Sequence, residues 1–555
     1  MKIRRIISLI IATVLLLSAA AALAGCGGGK AGRSTEEAFL ASTGGKISLY
    51  GYNEDKKFVQ IDELVRGTRV TKFTDGKATE AEEGYTEILY NDENCYVSTN
   101  SLVDEYSKCV QEKVKYVRTS VTVYQNNTDW RIESWIKKGN ELQVLGFDFL
   151  DKDGQVEMYK ISSGSTTGWV YGKYLVDTQA AADAVYNENG TFDIHNGRDY
   201  YFPLWGGYPE DLDYYPYERV ELNHPLLREA KTMYLNAEAA INNEAYIECA
   251  LENGVNAMVM DIKDGQLTYA SEVAKELSPT SYNTYCCEID TFKESVQRVK
   301  DNGLYTIGRI VVFNDYLYAQ DHPETCIDSV YSSGEWPSGF NREAWYYNVS
   351  LAIEAVQLFG FDEIQFDYIR FPESTWMMSE YDETVDFKNE YGESKGEAIQ
   401  NFLFYAADEI HKAGAYFSID VFGECVGTYV TAYGQYWPAM SNIVDVISAM
   451  PYTDHYGFDE DTWSEPFYIM DSFASQAEDR QKEIPTPAVA RTWVTGYNTP
   501  HWDPVVDYDT SKMIEQVSPL YEHGLDGGFI PWNAGSDLNK YWEYGAAWAH
   551  DYHQD

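Results

Sequence analysis

The sequence predicts an α/β chain, a (β/α)8 barrel preceded by two small all-β modules. Three observations lead there. From Ala230 onward, short apolar runs alternate with stretches of helical periodicity, eight times over, as parallel βα units do. Several helical stretches end in a glycine just before the next run, at Gly254, Gly303, Gly360, Gly414 and Gly524, where a left-handed cap lets the chain turn back. Ahead of residue 178, short alternating runs broken by Gly, Asn and Asp recur at an offset of about 72 residues, the pattern of small antiparallel modules.

The N-terminus reads as a targeting segment and is set apart from the fold. Lys2, Arg4 and Arg5 precede an apolar run from Ile6 to Leu17, so residues 1–25 are expected to be a signal peptide. Leu23-Ala24-Gly25-Cys26 resembles the bacterial lipoprotein signal, which implies a diacylated Cys26 and an extracytoplasmic chain anchored to a bacterial cell membrane. Residues 26–44, small and polar, read as a flexible tether. The remaining cysteines show no Cys-x-x-Cys pair and no Cys/His cluster, so no metal site and no cofactor is expected, and Cys286 and Cys287 read as neighbouring thiols.

Hydrophobic residues make up 44% of the 555, enough for a large core. Against 42 Lys+Arg stand 88 Asp+Glu, a net charge of −46 that repels nucleic acid and polyanionic glycans and favours a neutral or cationic partner. The 46 tyrosines and 14 tryptophans suit surfaces that meet sugars, whose rings offer one apolar face and a rim of hydroxyls.

The repeat covers residues 45–105 and 112–177. Arg66-Gly67-Thr68-Arg69-Val70 aligns with Lys138-Gly139-Asn140-Glu141-Leu142, and Cys95-Tyr96-Val97 with Gly168-Trp169-Val170. The second copy resembles the bacterial SH3-like domains of cell-envelope proteins, and the first is a more divergent copy. That resemblance implies a spacer or a peptidoglycan contact. Because each copy can carry its own core, removing residues 1–177 is expected to leave the barrel folded. Residues 178–227, with Pro203, Pro209, Pro216 and Pro225 among many aromatics, read as a connecting segment lying against a barrel domain at 228–550.

Eight barrel strands are expected: Thr232–Leu235, Ala257–Ile262, Thr306–Phe313, Glu363–Phe366, Tyr416–Val421, Val444–Ser448, Thr486–Arg491 and Gly528–Trp532. Strands two, four and five each end an apolar run on an aspartate, Asp261, Asp367 and Asp420. In a (β/α)8 barrel that end of the strands forms the active face. Carboxylates crowded there push their pKa values apart, leaving one protonated and another ionised, which is what glycosidic bond cleavage needs. A divalent cation could use the same cluster, but no Asp/His ligand spacing supports one. Asp367 is read as nucleophile, kept ionised by nearby Arg370. Asp420, between Ile419 and Val421, is read as general acid, with Glu424 as the alternative and Asp261 then orienting the sugar. Tyr368, Arg370, Tyr452, His455, Arg491, Trp493, Trp532 and Asn533 stand at strand ends, where they could stack on sugar faces or bond hydroxyls.

Asn256–Asp264, Gly308–Asp315, Gly360–Pro372, Ser418–Gly423, Val446–Tyr452 and Gly524–Asn533 resemble, in order, the glycoside-hydrolase TIM-barrel family of bacterial envelope proteins. The resemblance spans about residues 228–535 and implies a (β/α)8 fold with a catalytic aspartate on strand four. The leading expectation is a membrane-anchored glycoside hydrolase that cuts an envelope or extracellular polysaccharide with a carboxylate pair and retains the anomeric configuration. The competing expectation is a non-catalytic glycan-binding or envelope-organising lipoprotein that uses the barrel as a scaffold.

Overall fold

The computed structural model describes residues 33–74, 82–184, 205–457, 460–484, 486–498 and 505–554. The signal segment and Cys26 lie outside the described residues. Two compact units are present, one of residues up to 113 together with 146–157, the other of residues 114–145 and 158 onward.

The first unit is built on a seven-stranded sheet that begins at Thr35–Leu40, inside the stretch expected as tether. Strand Lys46–Tyr52 alternates buried and open positions, and Ile47 and Leu49 join Ala38, Leu40, Leu64, Val70, Ile88, Cys95 and Val97 in its core. The second unit opens with a sheet of the same construction. Counted from its first strand, each sheet has the spatial order third, second, sixth, fifth, fourth, first, seventh, so the repeat seen in sequence is a repeat of topology. Gly67 and Gly139 occupy the same tight turn, with φ of +83° and +84°, and each donates its N–H back to the first strand, to Leu40 O at 2.8 Å and Val117 O at 2.7 Å.

Residue 228 onward forms the barrel. Its strands are β1 (Ala230–Leu235), β2 (Ala257–Asp264), β3 (Tyr305–Val311), β4 (Glu363–Asp367), β5 (Tyr416–Phe422), β6 (Val446–Met450), β7 (Val489–Ala490 with Thr492–Thr495) and β8 (Gly528–Trp532). Neighbours are parallel throughout, in sequence order from β1 to β6. Nearly every strand residue is buried, as expected where helices cover one face and the barrel interior the other. The major helices are α1 (Glu244–Asn253), α2 (Ile289–Asp301), α3 (Arg342–Phe359), α4 (Lys395–Ala413), α5 (Pro466–Gln481) and α6 (Thr510–Glu522). Helix α4 starts in a capping box, Ser394 with Glu397, and ends on Gly414 at φ +101°.

The seventh strand lies three residues later than the expected Thr486–Arg491 and is split. Its first half pairs with β6 and its second with β8, which closes the barrel. At that seam the backbones approach too closely for a side chain. A Cβ on Gly527 would stand 2.2 Å from Ala490 O, and one on Gly528 would stand 2.1 Å from Ala230 O. The sixth strand is likewise shifted, to Val446–Met450 from the expected Val444–Ser448.

The connecting segment lines the N-terminal end of the barrel strands. Arg219 donates to the carbonyls of Ser441 at 2.9 Å, Ile443 at 3.3 Å, Val444 and Thr486. His224 Nε2 bonds Asp362 O at 3.1 Å, and Tyr416 OH donates to His224 O at 2.9 Å. The second sheet packs on α3 and α4. Trp130 Nε1 donates to Ser350 Oγ at 2.7 Å, Tyr171 OH to Glu409 Oε1 at 2.9 Å, and Tyr174 OH to Asp408 at 3.0 Å. Removing residues 1–177 would therefore strip partners from buried carboxylates of α4, which the expectation of an independent barrel did not include.

Candidate active site

β4 ends on Asp367, and the next residue, Tyr368, has φ +53°. A bulky residue in the left-handed region is strained and needs surrounding structure to hold it there. The turn fixes the carboxylate, since Tyr368 N–H donates to Asp367 Oδ1 at 2.6 Å. Oδ2 of Asp367 accepts from Arg309 Nη2 at 2.7 Å and Nε at 3.2 Å. Arg309 comes from the middle of β3, in register with Gln365 of β4, and its side chain rises inside the barrel. Its Nη1 donates to Asp261 Oδ1 at 2.8 Å and Asp264 Oδ2 at 3.1 Å. Burial works against the guanidinium's charge, but Asp261, Asp367 and Asp264 outweigh it and keep the group cationic.

Asp420 on β5 is 0% exposed. Oδ1 accepts from Trp493 Nε1 at 2.7 Å, while Oδ2 stands 3.9 Å from Arg309 Nε and makes no hydrogen bond among the described residues. Burial first, and then the charge of Asp367, push this carboxyl well above the usual carboxylate range. Asp261 is likewise raised by burial, to about 6, with Arg309 opposing, and its Oδ2 accepts from Tyr234 OH at 2.5 Å. The barrel mouth thus holds one strongly raised carboxyl beside a carboxylate locked onto a cation. A guanidinium fills the centre of the group, the place a divalent cation would require.

The three aspartates converge as the strand alternation implied, while several other expected residues do different work. Arg370 does not hold Asp367. It is buried, donates to Glu373 Oε1 at 3.0 Å and Phe371 O at 3.1 Å, and lies 4.4 Å from the Phe422 ring centroid and 4.8 Å from that of Tyr368. Arg491 is not at the mouth. It is fully buried and donates to Glu363 Oε1 at 2.8 Å and to Leu227 O at 3.0 Å, and Glu363 begins β4, the opposite end from Asp367. Trp493 is buried as well, so it holds Asp420 and offers no open face to a sugar. Asn533 is buried in a turn, accepting from Ser536 N and Asp537 N.

Tyr452 is largely buried, its ring packing against His455, which is exposed and also touches Phe422. Trp532 is half-buried and packs on Tyr234 and Trp493. Glu424 is exposed just past β5, with one oxygen accepting from Tyr429 OH at 2.8 Å and the other from Tyr433 OH at 2.7 Å. Sequence reasoning missed Arg309 and Tyr234. The signal for Arg309 was there. An arginine inside the apolar run Ile307-Gly308-Arg309-Ile310-Val311 is too costly to bury without carboxylate partners.

Solved structures similar to the chain include the following, each with a TM-score below 0.5. The glycoside hydrolase domain of PgaB (BpsB) from Bordetella bronchiseptica is 12% identical over 57% of this chain and 98% of its own, with a TM-score of 0.41. A GH18 chitinase from Pseudoalteromonas aurantia is 13% identical over 58% and 100%, with a TM-score of 0.35. A hypothetical protein from Ruminiclostridium thermocellum is 30% identical over 34% and 97%, with a TM-score of 0.28. No curated protein matches the chain. Residues 232–539, more than half of the chain and running from within β1 to beyond β8, match the family described as "Putative glycosyl hydrolase domain", and the chain belongs to that family.

Proposed function

We propose that this chain is a lipid-anchored, extracytoplasmic glycoside hydrolase that cleaves an envelope or extracellular polysaccharide with retention of anomeric configuration. Asp420 is the general acid and Asp367 the nucleophile. The observation that carries this is the opposite treatment of two neighbouring carboxyls. Asp367 receives two donors from Arg309 and one from the backbone, which fix its carboxyl at the strand end where a nucleophile is needed. Asp420 is buried, with an oxygen that lacks a hydrogen bond, and its proton is retained.

In register, Gln365 pairs with Ser418 and Phe366 with Ile419, so Asp367 and Asp420 extend side by side from adjacent strands. Strands lie about 4.8 Å apart, close to the roughly 5–5.5 Å between the carboxyls of a retaining pair. In the first step the Asp420 proton goes to the glycosidic oxygen as Asp367 attacks the anomeric carbon. In the second, Asp420 takes a proton from the water that releases the sugar. The half-buried and exposed rings of Trp532, Tyr368 and His455 would meet the sugar faces, and net charge −46 favours a neutral or cationic glycan.

Leu23-Ala24-Gly25-Cys26 supports the anchor. Screening the full chain on a glycan array, then assaying hits for turnover with Asp367→Asn and Asp420→Asn, tests the reading. Loss of turnover with retained binding in Asp367→Asn is expected. Binding without turnover by the parent protein would leave only the scaffold role.

A further inference from the structure

A second feature of the active face lies away from the carboxylates. Nine positions after Asp367, within the long connection from β4 to α4, a short helix at Thr375–Tyr381 carries Trp376 and Tyr381, which are 40% and 61% exposed. Large aromatic rings this open, and this close together, are unusual on a surface that has nothing to meet. They are also organised. The ring centroids of Trp376 and Tyr381 are 6.0 Å apart, and Trp205 of the connecting segment lies 6.1 Å from Trp376.

Beside them opens a cavity of about 390 Å³, lined by Trp205, Phe387, Asn389, Ser394 and Lys395 among others. That size is within the roughly 300–1,000 Å³ typical of small-ligand sites. Lys395 is only 7% exposed, and its ammonium donates to two neutral oxygens, Trp205 O at 2.8 Å and Ser379 Oγ at 3.2 Å. Ser379 belongs to the same short helix as Trp376. Burial lowers the Lys395 pKa to about 8, so much of the charge persists at neutral pH in a wall that also carries Asp386 and Glu393 beside its aromatic and polar residues.

Open aromatic faces next to a buried ammonium, which also lies 4.5 Å from the Phe387 ring centroid, match the two sides of a pyranose, an apolar face and a rim of hydroxyls. We infer that the Trp376–Tyr381 surface and the cavity beside Lys395 form a distal glycan-binding site, taking a short stretch of the polysaccharide chain whose scissile bond lies at the carboxylates. The inference rests on the proposed glycosidase reading for its ligand class, but not for its existence as a binding site.

The test uses the full chain carrying Asp367→Asn, so that bound glycan is not cut, on an array of neutral and amino-sugar oligosaccharides of various lengths. Adding Trp376→Ala should weaken binding of the longer oligosaccharides about tenfold or more, while disaccharides at the carboxylates are unaffected. Trp376→Phe, which keeps a ring, should restore part of the loss, and neither change should alter the melting temperature. In the otherwise wild-type chain, Trp376→Ala should leave turnover of an aryl disaccharide unchanged. Array binding that ignores Trp376→Ala, or no oligosaccharide binding at all, overturns the inference. Binding that depends on Trp376 in a protein without turnover upholds the site and instead defeats the hydrolase reading.

Discussion

Arg309 is the residue on which the site turns. One guanidinium bridges Asp261, Asp264 and Asp367 and leaves Asp420 to Trp493. Arg309→Met should therefore do more than remove a contact. With their shared cation gone, the buried carboxyls should hold protons to higher pH, and turnover at neutral pH should fall by about 100-fold or more, the scale of lost electrostatic preorganisation. A pH–rate profile checks this, and a purely structural role would lower the rate without moving the profile. Trp493→Phe tests the other half. The indole N–H favours the ionised form of Asp420, so its loss should raise the pKa of Asp420 further and move the alkaline limb of the profile to higher pH. Asp367 and Asp420 were legible in the sequence because an aspartate ending an apolar strand is costly unless used. Arg309 was legible only as an arginine in need of carboxylates, because its place in mid-strand does not say which ones it will meet. Arg370 misled because closeness in sequence to Asp367 placed it on a turn that carries it to Glu373.

At the scale of elements, eight strands and their covering helices could be read from periodicity and from glycine caps. The seventh strand could not be placed correctly, because closure depends on how β7 divides its pairing between β6 and β8. Gly527 and Gly528 are where that closure is enforced. Gly528→Ala sets a methyl against Ala230 O, at φ +93°, and should cost more than about 2 kcal/mol in denaturant unfolding. The second sheet's docking carries a pH signature. Glu409 on α4 is raised by burial from 4.5 to about 7, beside Asp408, Tyr124, Tyr171 and Lys412. Because its folded pKa lies above the unfolded value, its contribution is fully present below pH 4.5 and is lost as pH rises through 7. At 1.36 kcal/mol per unit, the loss is at most about 3 kcal/mol. Glu409→Gln should flatten stability between pH 5 and 8, measured by urea unfolding; an unchanged slope would remove Glu409 as the source.

For the whole molecule, the family match and the barrel support glycan hydrolysis in general, and the proposed preference for a glycan that is not a polyanion rests on the net charge of −46. The repeat was visible in sequence because its turn glycines recur in register, but the first sheet's opening strand was not. Thr35–Leu40 is short and mostly open, and it gains its order from pairing with Arg69–Phe73 and Leu102–Val103. Anchoring is tested at this scale by Cys26→Ser, which should move the protein from the membrane fraction to the soluble or secreted one. The central claim is a division of labour between Asp367 and Asp420, and the most direct measurement compares turnover by wild type, Asp367→Asn and Asp420→Asn on one natural glycan and one activated aryl glycoside. The account predicts that Asp367→Asn is inactive on both while its melting temperature is nearly unchanged, and that Asp420→Asn fails on the natural glycan but keeps much of its rate on the aryl glycoside. Near wild-type turnover by Asp367→Asn, or equal loss on both substrates by Asp420→Asn, would contradict it.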